Sequence, residues 1–486
     1  MGTLEGKIGY ETELNNWVNK EKSAVDLLNS VGSLMYNEGV ELVFFRNHLV
    51  DANVSEMLQL VDYAKNVVQN NIDIHTTATV ARALLSANLS PSKIDIGKLA
   101  SEYKAEKDNY ETVDNFIIDK LGNFTGGDKH TFEPKDVVLY GFGRIGRLAA
   151  RELIKQAGKG QQLRLRAIVT RNTSDAQIIK RAALLRNDSV HGAFSGAVIE
   201  DLENKALIIN GQIVKMIEAK NPEDIDYTSY GINNALVIDN TGVFSNKEAL
   251  SRHLQGKGVS KVLLTAPGAE IPNIVYGINH QEMDIEGTEI FSAASCTTNA
   301  ISPVLKVVED NFGVEKGHIE TVHAYTNDQN LLDNMHKKER RGRSAAINMV
   351  ITSTGAGKAV TKVIPSLKDK LTANAVRVPT PNGSLAILSL SLHKETSVEE
   401  INEAMRIAAL SGDLVNQINY QIDKELVSND IIGNTCCSVY DSNATIVSKD
   451  GKNVILYAWY DNEFGYTKQV IRLAKYIARV RRLIYY

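Results

Sequence analysis

Residues 136–158 read DVVLYGFGRIGRLAARELIKQAG. An apolar run, three glycines and a stretch of helix formers follow one another, which predicts a buried strand, a tight turn and a helix. Gly141, Gly143 and Gly146 fit G-x-G-x-x-G. The first permits the turn, the second lets backbone approach a pyrophosphate, and the third lets helix pack on strand. A bare glycine turn would need no such flanks. Here a second strand, LRLRAIVT (163–170), follows within about 30 residues, as a dinucleotide-binding unit requires. That strand ends IVTRNTSD, with Arg171 where an acid would accept the ribose 2′-OH. An arginine there removes repulsion against a 2′-phosphate and offers a bidentate donor. Thr173 and Ser174 could add hydroxyls. The expected cofactor is NADP, NAD or both.

Working outward, ALVIDN (235–240) and KVLLTAP (261–267) are further short strands with helical stretches between them. Strand and helix in alternation predict a parallel α/β sheet. Beyond about residue 316 the strands lengthen: GHIETVHAYT (317–326), NAVRVPT (374–380), SLAILSLSL (384–392) and NVILYAWY (453–460). These predict a second, α+β domain with antiparallel-looking strands. A last helix is expected over 466–483. The first 128 residues have another rhythm. Trp17, Ala24, Leu27, Leu28, Val31 and Leu34 recur at helical spacing, and Ser55 is a candidate N-cap for VSEMLQLVDYAKNVVQN (54–70). Further helices are expected over 76–89, 95–106 and 111–124. The fold class is thus an α/β Rossmann-type dinucleotide-binding domain (129–295, completed by a C-terminal helix, 462–486). It is joined to an α+β catalytic domain (296–461) and preceded by an all-helical N-terminal extension (1–128). GNFTGGDKHTFEPKD (122–136) reads as the linker.

A chain of 486 residues suits two or three domains. The net charge of −4 argues against a nucleic-acid or membrane-surface binder. Three cysteines cannot be a disulfide framework and suit a reducing, cytoplasmic setting. The N-terminus has no apolar core of a signal peptide, and no run is long enough to span a membrane. No metal-ligand spacing is present.

SAASCTTN (292–299) sets Cys296 among small and hydroxylic residues, just before an apolar helical run. A helix N-terminus acidifies a thiol. Cys436 and Cys437 lack that setting and read as inert buried residues. His323, near a strand end in HIETVHAYTND, is the candidate base for Cys296.

GFGRIGR, SAASCTTN, HAYTNDQ, RRGRSAAIN, STGAGKAV, RVPTPNGS and WYDNEFGYTKQV occur in this order. With them the chain resembles phosphorylating glyceraldehyde-3-phosphate dehydrogenases, over about residues 134–486, in a long form with an N-terminal extension. The resemblance implies that Cys296 attacks the aldehyde of glyceraldehyde 3-phosphate and that His323 manages the proton. Hydride leaves to the nicotinamide, and inorganic phosphate releases the acyl group. It implies that Thr326 and Arg377 hold the substrate phosphate, and that Ser295, Thr297, Thr354, Gly355 and Arg340 hold the attacking one. Arg144, Ile145, Lys220, Thr241, Gly242 and Thr265 match cofactor contacts, and Asn462 matches the residue that fixes the nicotinamide amide. A homotetramer is implied too. In the basic run KKERRGR (337–343), Arg340 is read with the phosphate pocket and the rest with a cofactor-side loop, and not as a nucleic-acid signal. Most glycolytic members have Asp at the position of Arg171, Asn at that of Tyr140, and often Leu-Pro at that of Asn334-Met335. An erythrose-4-phosphate dehydrogenase of the same fold is the nearest alternative, and the extension could serve as a partner-binding or regulatory module.

Overall fold

The computed structural model of the chain describes residues 9–125 and 132–486, so Gly126 and Gly127 of the expected linker lie outside the described residues. The chain divides into two units. One takes in the N-terminal region to Glu133 together with Arg481–Tyr486, and the other is Pro134–Val480.

Among its described residues the N-terminal unit carries five α-helices, Tyr10–Ser33, Val54–Tyr63, Ile74–Leu84, Ile96–Glu106 and Val113–Leu121. Its second helix is capped two residues earlier than Ser55, by a reciprocal Asn53–Glu56 capping box. The apolar stripes converge on one core that includes Leu27, Phe44, Leu84, Leu99 and Phe116. The all-helical expectation needs correction, because the unit also holds a four-stranded sheet. Its order is Asn47–His48, Glu41–Phe44, Ser92–Asp95, Leu483–Tyr485. Strands of two to four residues are too short to show an alternation, and the fourth comes from the far end of the sequence. Glu41, buried in this sheet, pairs with His48 at 2.8 Å, Lys93 at 3.3 Å and Arg482 at 3.4 Å.

That fourth strand also corrects the last helix. It runs Phe464–Ile477 and stops, with Arg479 in the left-handed region at φ +56°. Leu483–Tyr485 then pairs in parallel with Ser92–Ile94. The apolar and aromatic residues of RRLIYY favour a strand edge over a further helical turn.

In the larger unit the first sheet has eight strands. Lys135–Tyr140 lies at its centre between Leu163–Thr170 and Ala235–Asp239, parallel to both. The chain leaves the central strand toward one neighbour and later returns on its other side. The carboxyl ends of Lys135–Tyr140 and Ala235–Asp239 therefore form a topological switch point, where open α/β sheets bind ligands. The second sheet is built on the long strands Val314–Ala324, Leu371–Val378, Ser384–Leu392 and Asn453–Tyr460. It is mostly antiparallel, with an exception that matters. Val314–Ala324 and Leu371–Val378 run parallel, in a register that sets His323 beside Arg377. The helix Cys296–Phe312, buried along most of its length, packs against this second sheet.

Candidate active site

Cys296 is the first residue of its helix. The loop before it is held in an unusual backbone conformation. Ala294 sits at φ +54°, a region that non-glycine residues avoid. Three side chains hold it there. Asn299 donates to the carbonyls of Ala293 at 2.8 Å and Ser295 at 2.9 Å. Tyr466 donates to the Ala294 carbonyl at 2.9 Å. Ser292 Oγ accepts the Ala294 N–H at 3.0 Å. Ser295 caps the helix by accepting the Thr298 N–H at 3.0 Å. The thiol is thereby fixed at the positive end of a helix, where an oxyanion formed on its carbonyl substrate would meet free N–H groups.

Cys296 Sγ lies 3.7 Å from Nε2 of His323, at the end of the strand Val314–Ala324. The other ring nitrogen is 2.7 Å from the Ala324 carbonyl. Arg377 Nη1 donates to the same carbonyl at 2.9 Å and lies 2.9 Å from His323 Nδ1. Nδ1–H toward that carbonyl leaves Nε2 as the unprotonated, basic nitrogen facing sulfur. Burial, then the charge of Arg377, pushes the His323 pKa down to about 3, so the ring is a neutral base at pH 7. Burial pushes the Cys296 thiol up, and Arg377 pulls it partly back. The expected acidification by the helix end is therefore outweighed in the resting site, which holds a neutral thiol beside a neutral imidazole. Cys436 and Cys437 are buried, with thiols pushed up by burial.

Arg377 is largely buried, and its Nε has no partner among the described residues. Thr326 stands two residues beyond the strand of His323, half-buried. Thr354 Oγ1 accepts the Ala356 N–H at 3.2 Å, and Gly355 precedes the helix Ala356–Val363. A Cβ on Gly355 would meet nothing within 4 Å, so the approach to this helix N-terminus is open. Thr297 Oγ1 is 3.1 Å from the hydroxyl of Tyr460, whose ring lies edge-on to His323 at 5.8 Å.

Arg340 is not brought in. It is exposed, with Nη1 3.5 Å from the Ile351 carbonyl. Its neighbour Arg341 points inward instead. It pairs with Asp328 and donates to Thr352 Oγ1 at 3.2 Å, and its charge is felt by both His323 and Arg377. The two arginines sit in a 3₁₀ turn, Glu339–Gly342. Successive residues there point about 120° apart, so only one of a tandem pair can face inward. Sequence offered no means to choose between them.

The cofactor cleft opens at the switch point. Gly141 has φ +96°, and a Cβ on Gly146 would stand 2.6 Å from the Gly141 carbonyl. A Cβ on Gly143 would meet nothing, which leaves open the approach a pyrophosphate needs. The Arg144 guanidinium is taken up by Asp188 at 3.1 Å and by Glu463, and Ile145 follows it in the first turn of the helix Arg144–Lys155. A cavity of about 430 Å³ runs on from the glycines, lined by Tyr140, Arg171, Arg181, Lys220, Thr241 and Phe244 among others. Three of its lining residues are cations and none is acidic. Arg181, on the helix Asp175–Arg186, was missed by sequence reading, because a basic residue in mid-helix carries no distinguishing signal.

The two hydroxyls proposed beside Arg171 differ. Thr173 is buried and gives its hydroxyl to Glu218 at 3.2 Å, so it is not a free donor. Ser174 is exposed at the helix N-cap. Asp175 pairs with Lys205 at 2.6 Å. Below the cleft, Asp239 is fully buried. It pairs with His253 at 2.9 Å and accepts the Thr241 N–H at 2.8 Å, which holds the turn into Gly242. Thr265 donates its hydroxyl to the Asp239 carbonyl at 2.9 Å. At the nicotinamide end, Ser384 donates to the Asn462 amide oxygen at 2.8 Å and accepts the Ala324 N–H at 3.1 Å. One serine thus ties the amide of Asn462 to the strand that carries His323. Among the described residues no cluster of metal ligands occurs.

Comparison with known proteins gives two family matches. Residues 135–247 match the glyceraldehyde 3-phosphate dehydrogenase NAD binding domain, and residues 295–462 match the C-terminal domain of the same family. The chain is 47% identical over 456 residues to a glyceraldehyde-3-phosphate dehydrogenase-like protein of Pseudomonas aeruginosa, covering 93% of this chain and 98% of that protein. It is 40% identical to glyceraldehyde-3-phosphate dehydrogenase of Clostridium pasteurianum over 71% of this chain and 99% of the relative. To glyceraldehyde-3-phosphate dehydrogenase 2 of a Nostoc species it is 41% identical over 70% and 98%. Of these three, the Pseudomonas protein is the one whose match takes in nearly the whole chain.

Proposed function

This chain belongs to the glyceraldehyde-3-phosphate dehydrogenase family, and we propose that it converts D-glyceraldehyde 3-phosphate and inorganic phosphate to 1,3-bisphosphoglycerate at Cys296, with NAD(P)⁺. The observation that carries this is the thiol at a helix N-terminus, 3.7 Å from the ring nitrogen of a buried histidine.

As sulfur attacks C1, its proton passes to Nε2 of His323, and the oxyanion forms against the N–H groups at the start of the helix. The imidazolium returns the proton to that oxygen, giving a thiohemiacetal. The cofactor supplies a hydride acceptor. His323 takes the hydroxyl proton as the C–H electron pair departs, which leaves a thioester on Cys296. A phosphate oxygen then attacks the thioester carbonyl. The C–S bond breaks, the acyl phosphate leaves, and sulfur recovers a proton from His323. Thr326 and Arg377 are assigned to the substrate phosphate. Ser295, Thr297, Thr354 and Gly355 are assigned to the attacking phosphate, with Arg341 in the place first given to Arg340. Asn462 holds the nicotinamide amide. Nucleotide binding is assigned to residues 129–295 with the helix Phe464–Ile477, and the carbonyl chemistry to 296–461.

The cationic, acid-free lining of the adenine-side cavity supports acceptance of NADP at least as readily as NAD. A homotetramer is supported by the apolar residues Leu331, Leu332, Met335, Ile347 and Met349, all at least 73% exposed on one loop segment. A cytoplasmic site suits a nucleophilic thiol that must stay reduced; no helix among the described residues is long and apolar enough to cross a membrane. The test is a steady-state assay with each cofactor, with and without phosphate. Turnover that needs glyceraldehyde 3-phosphate and phosphate supports the reading. Turnover indifferent to phosphate removes the acyl-transfer half.

A further inference from the structure

The first helix, Tyr10–Ser33, is used along only half its length. The helix Ile74–Leu84 that packs on it begins beside Ser23, where His75 meets the Ser23 hydroxyl at 2.6 Å. Every residue from Tyr10 to Lys20 is exposed. Yet that free stretch is not polar all round. Tyr10 is 77% exposed, Leu14 43% and Trp17 48%. With Glu21 they continue, in steps of four and three, through Ala24, Leu28 and Val31, which the core buries or partly buries. The spacing is the a and d pattern of a coiled coil. The seam that packs inside the unit thus runs on, without a break in register, into a part of the helix that stays exposed among the described residues.

The charges beside the seam say what fits it. With Leu14 and Glu21 at a and Trp17 at d, Glu13 and Lys20 occupy successive g positions. In a parallel pair of such helices Glu21 would face Glu21, like charge against like. In an antiparallel pair a faces d and g faces g. Leu14 then packs on Trp17 of the second copy, Tyr10 covers Glu21, and Glu13 meets Lys20, each contact made twice about a two-fold axis. Within one chain Trp17 already donates to Glu21 at 2.9 Å, so that carboxylate enters the seam partly satisfied.

We propose that residues 10–23 are a self-association element, in which two copies of this chain pair their first helices antiparallel, centred between Leu14 and Trp17. The paired stretch is only about four turns long. Isolated helices of that length are marginal, so the contact is weak and reversible unless the chains are already held close.

Sedimentation of the full-length protein over a concentration series tests this, with Glu13→Lys, Lys20→Glu and the double exchange. Both positions changed are exposed and away from the core. Each single reversal sets two like-charged contacts in the pair and should weaken the concentration-dependent step by about tenfold or more. The double exchange restores complementarity and should recover it. Leu14→Asp should abolish the step with turnover unchanged, and the Trp17 emission, read against a Trp17→Phe control, should shift blue as copies associate. If the singles and the double all associate like the wild type, the pairing is wrong. If Leu14→Asp acts but the charge exchanges do not, the stripe covers a different surface, and antiparallel self-pairing falls with it.

Discussion

The two ends of the proposed cofactor site are built on different rules. At the thiol end nearly every functional atom is already bonded to something that holds it. His323 is held by Ala324 and Arg377, Asn462 by Ser384, and the loop before Cys296 by Asn299 and Tyr466. At the adenine end Arg171 is exposed and makes no ion pair among the described residues. The difference follows from what each end must do. Bond-making needs groups fixed in advance, since reorganisation during the reaction raises the barrier. Choosing between cofactors needs only that one charge sit within reach of a ribose. Substitutions at the first end should therefore change rate by large factors, and substitutions at the second should change preference by small ones.

The largest break should come from Cys296→Ser. The hydroxyl is far less ionised than the thiol, so kcat should fall at least about a thousandfold while cofactor affinity, read by fluorescence titration, is kept. Near-normal turnover would sink the nucleophile. Next, His323→Asn should cost about 10²–10⁴-fold in kcat, the span of general acid–base catalysis. It also has a signature in stability. The folded pKa of His323 is depressed to about 3 from an ordinary 6.5. Between those values the unfolded chain binds the proton and the folded chain does not, so this residue makes the protein lose stability as pH falls from about 6.5 toward 3. His323→Asn should flatten the slope of Tm against pH in that window; an unchanged slope would mean the ring is not held neutral.

A smaller effect separates the tandem arginines. Arg341→Ala should raise the KM for inorganic phosphate by about 1.5–3 kcal/mol, as for a hydrogen bond to a charged group. Arg340→Ala should stay within about 0.5 kcal/mol, as for a surface change. The reverse ranking would return the assignment to Arg340. The smallest change expected to register is Arg171→Asp, which should shift the NADP-to-NAD preference toward NAD by somewhat more than tenfold, about 1.4 kcal/mol. Thr173→Val should leave that preference alone, because its hydroxyl already serves Glu218. A wild-type enzyme that ignored NADP would end the comparison as drawn.

Much of this was legible in the sequence, and the limits follow a physical line. Gly141, Gly143 and Gly146 announce themselves because each is required by a local backbone geometry. Cys296 and His323 could be named because their neighbours are distinctive, but their pairing depends on which strand adds beside which. The parallel register that sets His323 against Arg377 is not written in either strand alone. The placements of Arg341, Arg181 and Ser384 were not legible for one reason: each depends on the direction a side chain takes, and an exposed arginine and an inward one look alike in a string of letters. The short strands at Glu41–Phe44 and Ser92–Asp95 were missed because four residues cannot display a period.

The strand Leu483–Tyr485 has a consequence for biosynthesis. It is one of four in the N-terminal sheet, where Arg482 meets buried Glu41 and Lys98 reaches the carbonyl of Tyr486, 388 residues away in sequence. Residues 10–125 leave the ribosome well before residues 483–485, yet their sheet lacks an edge strand until those residues have been translated. At about 5–20 residues per second that wait lasts on the order of twenty seconds to a minute. The earlier of the two units in the chain is thus the later to be completed, and a chain ending before Leu483 would leave the N-terminal sheet with an unpaired edge, open to pairing with another chain.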